Sequence, residues 1–287
     1  MSEKTLLAPL HGPLVAKAVG DALAEDLGLA GDITTAATIP ASATARACIR
    51  ARQQGVVSGV AVASAAFHAL DSAIAFEVRQ PDGSNVEAGD VIAYIAGNAR
   101  AILTAERVAL NFMGRMSGIA TLTRRYVEAI SGTGALIVDT RKTTPGLRAF
   151  EKFAVRCGGG KNHRVGLFDA VLIKDNHIVA AGGIDKAIAA ARSFAGHMVK
   201  IEIEVDTLKQ LQVVMTHEVD AVLLDNMPPD TLRKAVAMVA GRALTEASGG
   251  VNFETVRSIA QTGVDLISVG ALTHSAPVLD LGLDFID

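Results

Sequence analysis

The sequence predicts an α/β protein in two parts: an N-terminal α/β sandwich domain, then strand–helix units that wind into a (β/α) barrel. Three observations predict it. Six apolar runs recur in the second half, separated mostly by helix-like stretches. The first hundred or so residues instead mix short strands, helices and glycine turns. Half of the 287 residues are hydrophobic, enough to bury a sizeable core in each part.

Along the first part, residues 12–27 read as a helix that stops at Gly28, and GDITTAATIP as a polar loop with helix-cap chemistry. Residues 43–51 and 73–79 read as strands around a helix near 59–70. PDGSNVEAGDVIAYI turns at Asp82-Gly83 and again at Ala88-Gly89-Asp90, with short strands about the second turn. Thr104 reads as the N-cap of a helix carrying Val108, Phe112, Met116, Ile119 and Leu122 at near-helical spacing. Gly114 and Gly118 either weaken that helix or mark close packing, and the domain connection falls within it.

The second part contains ALIVDTRK, FDAVLIKDN, VKIEIEVD, DAVLLDN, RALTEASGG and DLISVGAL. Nearly continuous apolar runs read as strands buried on both faces. VKIEIEVD departs from this, because Glu202, Glu204 and Asp206 alternate with Ile and Val. Helices are expected over 183–194, 206–216, 228–240 and 251–261. Repeated strand–helix units imply parallel strands with right-handed crossovers. A doubly wound sheet would also fit, but even spacing and the absence of GxGxxG after the first strand favour a barrel.

Composition narrows the partners. With 27 basic and 30 acidic residues the net charge is -3, which argues against a nucleic-acid or anionic-membrane surface. Cys48 and Cys157 form neither a disulfide framework nor a zinc pattern, and point to a reducing, cytoplasmic setting. The N-terminal stretch is broken by Pro9, His11, Gly12 and Pro13, so no signal peptide is expected. No run reaches the roughly 18 apolar residues of a membrane helix.

In a barrel the C-terminal strand ends converge on one face. Here those ends hold Arg141 and Lys142, Lys174, Glu204, Asp225, Ser248-Gly249-Gly250 and Gly270, while His163 and Arg164 follow the glycines of CGGGKNHR between the first two strands. The cations need a compensating anion, and arginine forks suit carboxylates or phosphates. Glu204 and Asp225 offer oxygen ligands that suit Mg2+ beside a phosphorylated substrate. The glycine loops could bind phosphate through backbone N–H groups. The glycines at 158–160 are expected to let the 157–164 loop fold over the mouth. A Walker loop is excluded, since Val155 and Asn162 stand where Gly and Ser or Thr are required.

The motifs DTRKTTPGLR, KFAVRCGGGKNHR and FDAVLIKDNHI resemble quinolinate phosphoribosyltransferases, as do EDLGLAGDITT, TAERVALNFMGRMSGIAT, IEIEVDTL, AVLLDNM, EASGGVN and GVDLISVGALTHSAPVLDLGLDF. The resemblance runs in order over most of the chain. It implies an N-terminal α/β sandwich domain over 1–116, an incomplete (β/α) barrel over 117–273, and a tail, 274–287, that rejoins the first domain. It also implies a homodimer or assembly of dimers with shared active sites. The implied reaction joins quinolinate to phosphoribosyl pyrophosphate with decarboxylation, gives nicotinate mononucleotide, CO2 and pyrophosphate, requires Mg2+, and belongs to NAD biosynthesis.

Carried over by motif, Arg141, His163 and Arg164 grip the quinolinate carboxylates, with Arg107 reaching in from the neighbouring subunit. Lys142 and Lys174 lie between the substrates as catalytic residues. Glu204 and Asp225 serve ribose and metal, the latter directly or through water or substrate. Ser248, Gly249, Gly250 and Gly270 bind phosphate. Gly114 departs from the family pattern, where a larger polar residue is expected on the helix surface.

Blander readings stand beside these. Arg107 could pair with Glu106, Asp139 and Asp175 could only cap loops, and His177, His274 and Cys157 could be structural. Lys174 could be a Schiff-base lysine. Alternation leaves Glu202 and Glu204 equivalent, and the resemblance selects Glu204. The competing functions are a molybdenum-associated paralogue acting on another base and a catalytically silent barrel that binds a phosphometabolite. Retention of KNHR and KDNH speaks against the first, and the full set of charged strand ends against the second.

Overall fold

The structure, a computed structural model, describes residues 7–286. Residues 1–6 and Asp287, where the N-terminal leader reading and the expected domain bounds begin and end, lie outside them.

The chain opens with α1 (Gly12–Leu27), stopped as expected at Gly28, whose φ is +50°. GDITTAATIP is not a loop but a short helix, α2 (Ile33–Thr38), because Asp32 accepts the Thr35 N–H at 2.9 Å and caps it. Then follow β1 (Thr44–Ala51), β2 (Gly55–Val56), α3 (Val60–Leu70), β3 (Ala75–Val78), β4 (Asn85–Val86) and β5 (Val91–Asn98). The long helix α4 (Ala99–Ala129) starts before Thr104. Asn98 accepts the Ala101 N–H at 3.2 Å and does the capping, while the Thr104 hydroxyl donates to Asp32 at 3.0 Å.

After β6 (Leu136–Val138) comes α5 (Arg148–Cys157), which the sequence reading passed over although Phe150, Phe153, Ala154 and Cys157 lie at i, i+3, i+4 and i+7. The remaining elements are β7 (Val171–Ile173), α6 (Asp175–Ala181), α7 (Ile184–Phe194), β8 (Ile201–Val205), α8 (Leu208–Val214), β9 (Ala221–Asp225), α9 (Pro229–Val239), β10 (Leu244–Ser248), α10 (Val256–Ala260), β11 (Leu266–Ser268), α11 (Ala271–His274) and β12 (Leu281–Ile286). The α10 helix is much shorter than the expected 251–261.

Two compact units result. One holds the residues up to Arg124, Ala149–Gly159 and the tail from Ser275; the other holds Arg125–Arg148 and Gly160–His274. The division falls at Arg124/Arg125, later in α4 than the expected 116/117, and α5 is grouped with the first unit.

In the first unit an antiparallel sheet runs β12-β1-β5-β3, so the chain's last strand pairs with its first long one. Its core includes Ile49, Phe67, Ile92, Ile95, Ile102, Met113, Met116 and Ile119. The tail explains two glycines of α4. A Cβ on Gly118 would strike the Pro277 carbonyl, and one on Gly114 would lie 3.0 Å from the Leu279 carbonyl oxygen. Gly114 is therefore buried under the tail, where the sequence reading expected helix surface. The glycines of CGGGKNHR also have a different task from a lid. A Cβ on Gly158 would meet the Ala120 carbonyl and lie 2.6 Å from the Thr123 Cβ, so Gly158 permits close packing on α4, and Gly159 turns the chain at φ +92°.

In the second unit six strands are parallel in the order β6-β11-β10-β9-β8-β7. This is cyclic chain order with one seam: β6 and β7 do not pair, which leaves the barrel incomplete. All six apolar runs are strands of this sheet. In β8 charge and apolarity alternate by face. Ile201, Ile203 and Val205 are buried on one side, while Glu202 and Glu204 share the other.

Candidate active site

Chain segment 160–164 lines the free edge of β6. Lys161 forms a parallel bridge with Val138, its N–H donating to the Ile137 carbonyl at 2.9 Å. Asp139, fully buried, then sews the loop down: its carboxylate accepts the Asn162 amide at 2.6 Å and the His163 N–H at 2.9 Å. This carboxylate, outside the expected site, fixes where His163 and Arg164 stand.

Arg164 and Arg141 form the anion-receptive end. Arg164 donates to the Ala170 carbonyl at 3.3 Å. The Nε of each arginine is buried and has no hydrogen-bond partner among the described residues. Burial, then the Arg141 charge, holds the Arg164 guanidinium below the ordinary arginine value, against the opposing pull of Asp169 and Glu202. Buried donors without partners are costly, and a carboxylate would satisfy both.

His163, expected to help grip the quinolinate carboxylates, has its ring held by neighbours within the barrel. Its Nδ1 accepts the Arg164 N–H at 2.8 Å, and its Nε2 lies 2.9 Å from Glu202 and 3.7 Å from Glu246. Both ring nitrogens are thus engaged within the protein.

Next to this group lies an ion pair at the strand ends. The Lys174 ammonium donates to Glu204 at 2.9 Å. That pairing disfavours the Schiff-base reading, since the amine is tied to a carboxylate rather than held in an apolar pocket. His177 accepts the Lys174 N–H at 2.9 Å, which makes it a structural cap at the start of α6. Lys142 is exposed, and its carbonyl accepts the Thr273 hydroxyl at 2.7 Å. Its side chain runs over Gly270, where a Cβ would lie 3.2 Å from Lys142 Cδ.

At the end of β9, Asp225 accepts the Asn226 amide at 2.5 Å, and the Asn226 N–H donates to the Ser248 carbonyl at 2.9 Å. Gly249 and Gly250 both have positive φ, at +89° and +61°. A side chain on Gly249 would collide with Asn226. These glycines do not open directly onto a helix N-terminus, since α10 begins only at Val256, whereas Gly270 directly precedes α11. Arg107 lies on α4 in the other unit, its side chain 65% exposed and 3.9 Å from Glu106. Cys157 is buried, and burial pushes its thiol up to about 12, which fits an inert structural role.

Comparison with known proteins decides the family. The model of the quinolinate phosphoribosyl transferase N-terminal domain matches residues 32–117, and that of its C-terminal domain matches 119–284. The chain belongs to the quinolinate phosphoribosyltransferase family. It is 45% identical over 260 residues to a probable nicotinate-nucleotide pyrophosphorylase [carboxylating] of Bacillus subtilis, covering 91% of this chain and 89% of that protein. It is 46% identical over 268 residues to the nicotinate-nucleotide pyrophosphorylase [carboxylating] of Mycobacterium leprae, covering 92% and 94%. The structure of the nicotinate-nucleotide pyrophosphorylase from Francisella tularensis superposes with a TM-score of 0.94 at 39% identity, over 98% of this chain and 99% of that one.

Within this family fold, Asp139, Glu202 and Glu246 are the site-proximal residues that sequence reasoning left aside. Glu246 carried a signal: it is the acid inside the otherwise apolar-to-small strand LTEAS.

Proposed function

We propose that the strand-end face of the second unit carries the family reaction, transfer of phosphoribosyl from phosphoribosyl pyrophosphate to quinolinate with loss of CO2. The observation that carries this reading is the pair of buried, unpartnered guanidinium nitrogens of Arg141 and Arg164, on the face where Lys142 and Lys174 follow their strands. Two adjacent forks match a planar diacid better than a monoacid.

In this reading Arg141 and Arg164 hold the two carboxylates, and His163 shapes the loop that presents Arg164. The ring nitrogen attacks the anomeric carbon as the bond to pyrophosphate breaks. Positive charge develops on the ribose, toward Glu204 and Asp225, and negative charge on the leaving group, toward Lys142 and Lys174. Ser248, Gly249, Gly250 and Gly270 receive phosphate through backbone N–H groups. When the C2–carboxylate bond then breaks, its electron pair remains on C2 beside the cationic ring nitrogen and takes up a proton, giving nicotinate mononucleotide. The protein supplies position and charge, with no covalent intermediate.

Mg2+ fits the donor set. Glu204 and Asp225 are half-buried carboxylates at the ends of neighbouring strands, the one or two carboxylates that Mg2+ takes together with substrate phosphates. They would hold it along with the pyrophosphate oxygens, where it neutralises the leaving group.

Arg107, 65% exposed and held only by a long 3.9 Å ion pair to Glu106, can reach outward, which supports a homodimer, or an assembly of dimers, in which it completes the neighbour's site. No helix among the described residues is long and apolar enough to cross a membrane. The two unbridged cysteines support a cytoplasmic enzyme.

Chromatographic detection of nicotinate mononucleotide from purified protein, Mg2+ and both substrates tests the proposal. Calorimetry should show binding of quinolinate. Binding of nicotinate without quinolinate would instead favour a transferase acting on another base.

A further inference from the structure

Behind the two arginines, three titratable groups meet inside the barrel. The acceptor atoms of Glu202 and Glu246 and a ring nitrogen of His163 all lie within 4.8 Å of one another. Glu202 and Glu246 come from β8 and β10, alternate strands whose inward side chains share the barrel interior. Glu246 is 1% exposed, and its Oε1 has no hydrogen-bond partner among the described residues.

The protonation of His163 follows from its contacts. A backbone N–H is only ever a donor, so the Nδ1 that receives the Arg164 N–H at 2.8 Å carries no proton. The proton of the neutral ring then sits on Nε2 and is donated to Glu202 at 2.9 Å. The same fact argues against a metal ion among these three groups. A metal-bound imidazole normally donates from its other nitrogen, and here that nitrogen accepts.

We infer that Glu246 is a positioning residue of the family reaction: buried against Glu202 and the His163 ring, it keeps His163 in the Nε2–H form and thereby holds the backbone of Arg164 in the diacid site. This inference rests on the proposed assignment of Arg141 and Arg164 to the quinolinate carboxylates.

Burial, then the Glu202 charge, raises Glu246 to about 7; a charged His163 ring would oppose the rise, Ser268 opposes it by a hydrogen bond, and Asp139 adds to it. The titratable groups facing Glu246 are therefore Glu202 from β8, His163 from the loop on the free edge of β6, and Asp139 from the end of β6. Raised in this way, Glu246 keeps its proton below about pH 7 and loses it above. A second anion beside Glu202 would draw a proton onto His163 Nδ1, which then could not accept the Arg164 N–H. It would also place negative charge behind a site built for a dianion.

Two measurements on the full-length protein test this. The first is 15N NMR of the histidine rings, with His163 assigned through His163→Gln. At pH 6 the expected signature is a neutral ring protonated on Nε2; an Nδ1–H tautomer or an imidazolium would overturn the inference. The second is calorimetry with quinolinate from pH 6 to 8.5. Wild type should bind on the order of tenfold more weakly at the high end. Glu246→Gln, which mimics the protonated acid in shape, should bind at an affinity independent of pH. An unchanged pH dependence in Glu246→Gln would overturn the inference. Should Glu246→Gln not fold, the ring signature of wild type still decides. Failure of wild type to bind quinolinate at any pH would sink the substrate assignment instead, and leaves the NMR result standing.

Discussion

Lys174 and Glu204, thirty positions apart in sequence, are joined by a 2.9 Å hydrogen bond across the ends of β7 and β8. Lys174 is half exposed at 46% and Glu204 only 13% exposed, so the carboxylate anchors the ammonium at the open face of the barrel. The pair makes a catalytic prediction rather than a stability one, since partly exposed ion pairs contribute at most about 1 kcal/mol to folding. Lys174→Ala should lower kcat by about 10² to 10³, the usual loss when one electrostatic stabiliser of a developing charge is removed. Steady-state kinetics on Lys174→Ala and Glu204→Gln, with melting temperatures as a control, check it; wild-type kcat in both would remove the pair from the mechanism.

Arg164→Lys keeps the charge and loses the planar fork. The Arg164 Nε is buried without a partner and is the donor left for substrate, while the 3.3 Å bond to the Ala170 carbonyl is lost with the same fork. Quinolinate binding should weaken by roughly ten- to hundredfold, about 1.5–3 kcal/mol for charge-assisted hydrogen bonds. Affinity for phosphoribosyl pyrophosphate should change far less. Titration calorimetry with each substrate separates the two, and equal losses would place Arg164 elsewhere.

Asp139→Asn tests the seam. The aspartate accepts from both Asn162 and the His163 N–H, whereas an asparagine presents one acceptor and one donor face. One buried donor is then left unsatisfied, at a cost of about 1–3 kcal/mol. The variant should melt earlier and bind quinolinate more weakly. Chemical denaturation gives the first quantity and calorimetry the second.

Gly158→Ala should destabilise without touching the chemistry. The new Cβ meets the backbone carbonyl of Ala120, which cannot rotate away, and the Thr123 side chain. Overpacking of this kind costs about 1–3 kcal/mol. A lower melting temperature with kcat per folded molecule retained is the expected result. A loss of kcat at unchanged stability would restore the view of this glycine as a hinge.

Arg107→Ala and Lys142→Ala should each be nearly inactive alone. Mixed after subunit exchange, they should regain up to about a quarter of wild-type activity, since one of the two shared sites in a mixed dimer is intact and half the dimers are mixed. No recovery on mixing, with exchange confirmed by mass spectrometry, would count against shared sites.

Much of the barrel was legible in the sequence, for a local reason. A parallel strand buried on both faces must be apolar almost throughout, so most of the six runs announced themselves that way and VKIEIEVD by its alternation, and chemistry at each C-terminal end followed by position alone. The short helices α2 and α5 were less legible. The first depends on one side-chain cap at Asp32, and the second lies between motifs that drew attention to their charges. The start of α4 was misplaced because Asn98 and Thr104 are both plausible caps, and only the hydrogen bond from Ala101 chooses between them.

By itself the sequence determined the strand–helix order, the charged residues at the strand ends and the family to which they belong, because these are properties of short segments and their spacing. Tertiary structure alone decided which groups meet. The seam left between β6 and β7, the burial of Glu246 against His163, and the pinning of the 160–164 loop by Asp139 depend on residues dozens of positions apart. Whether a carboxyl group keeps its proton, or a histidine donates or accepts, is set by what surrounds it across the barrel, and no local pattern in the chain carries that information.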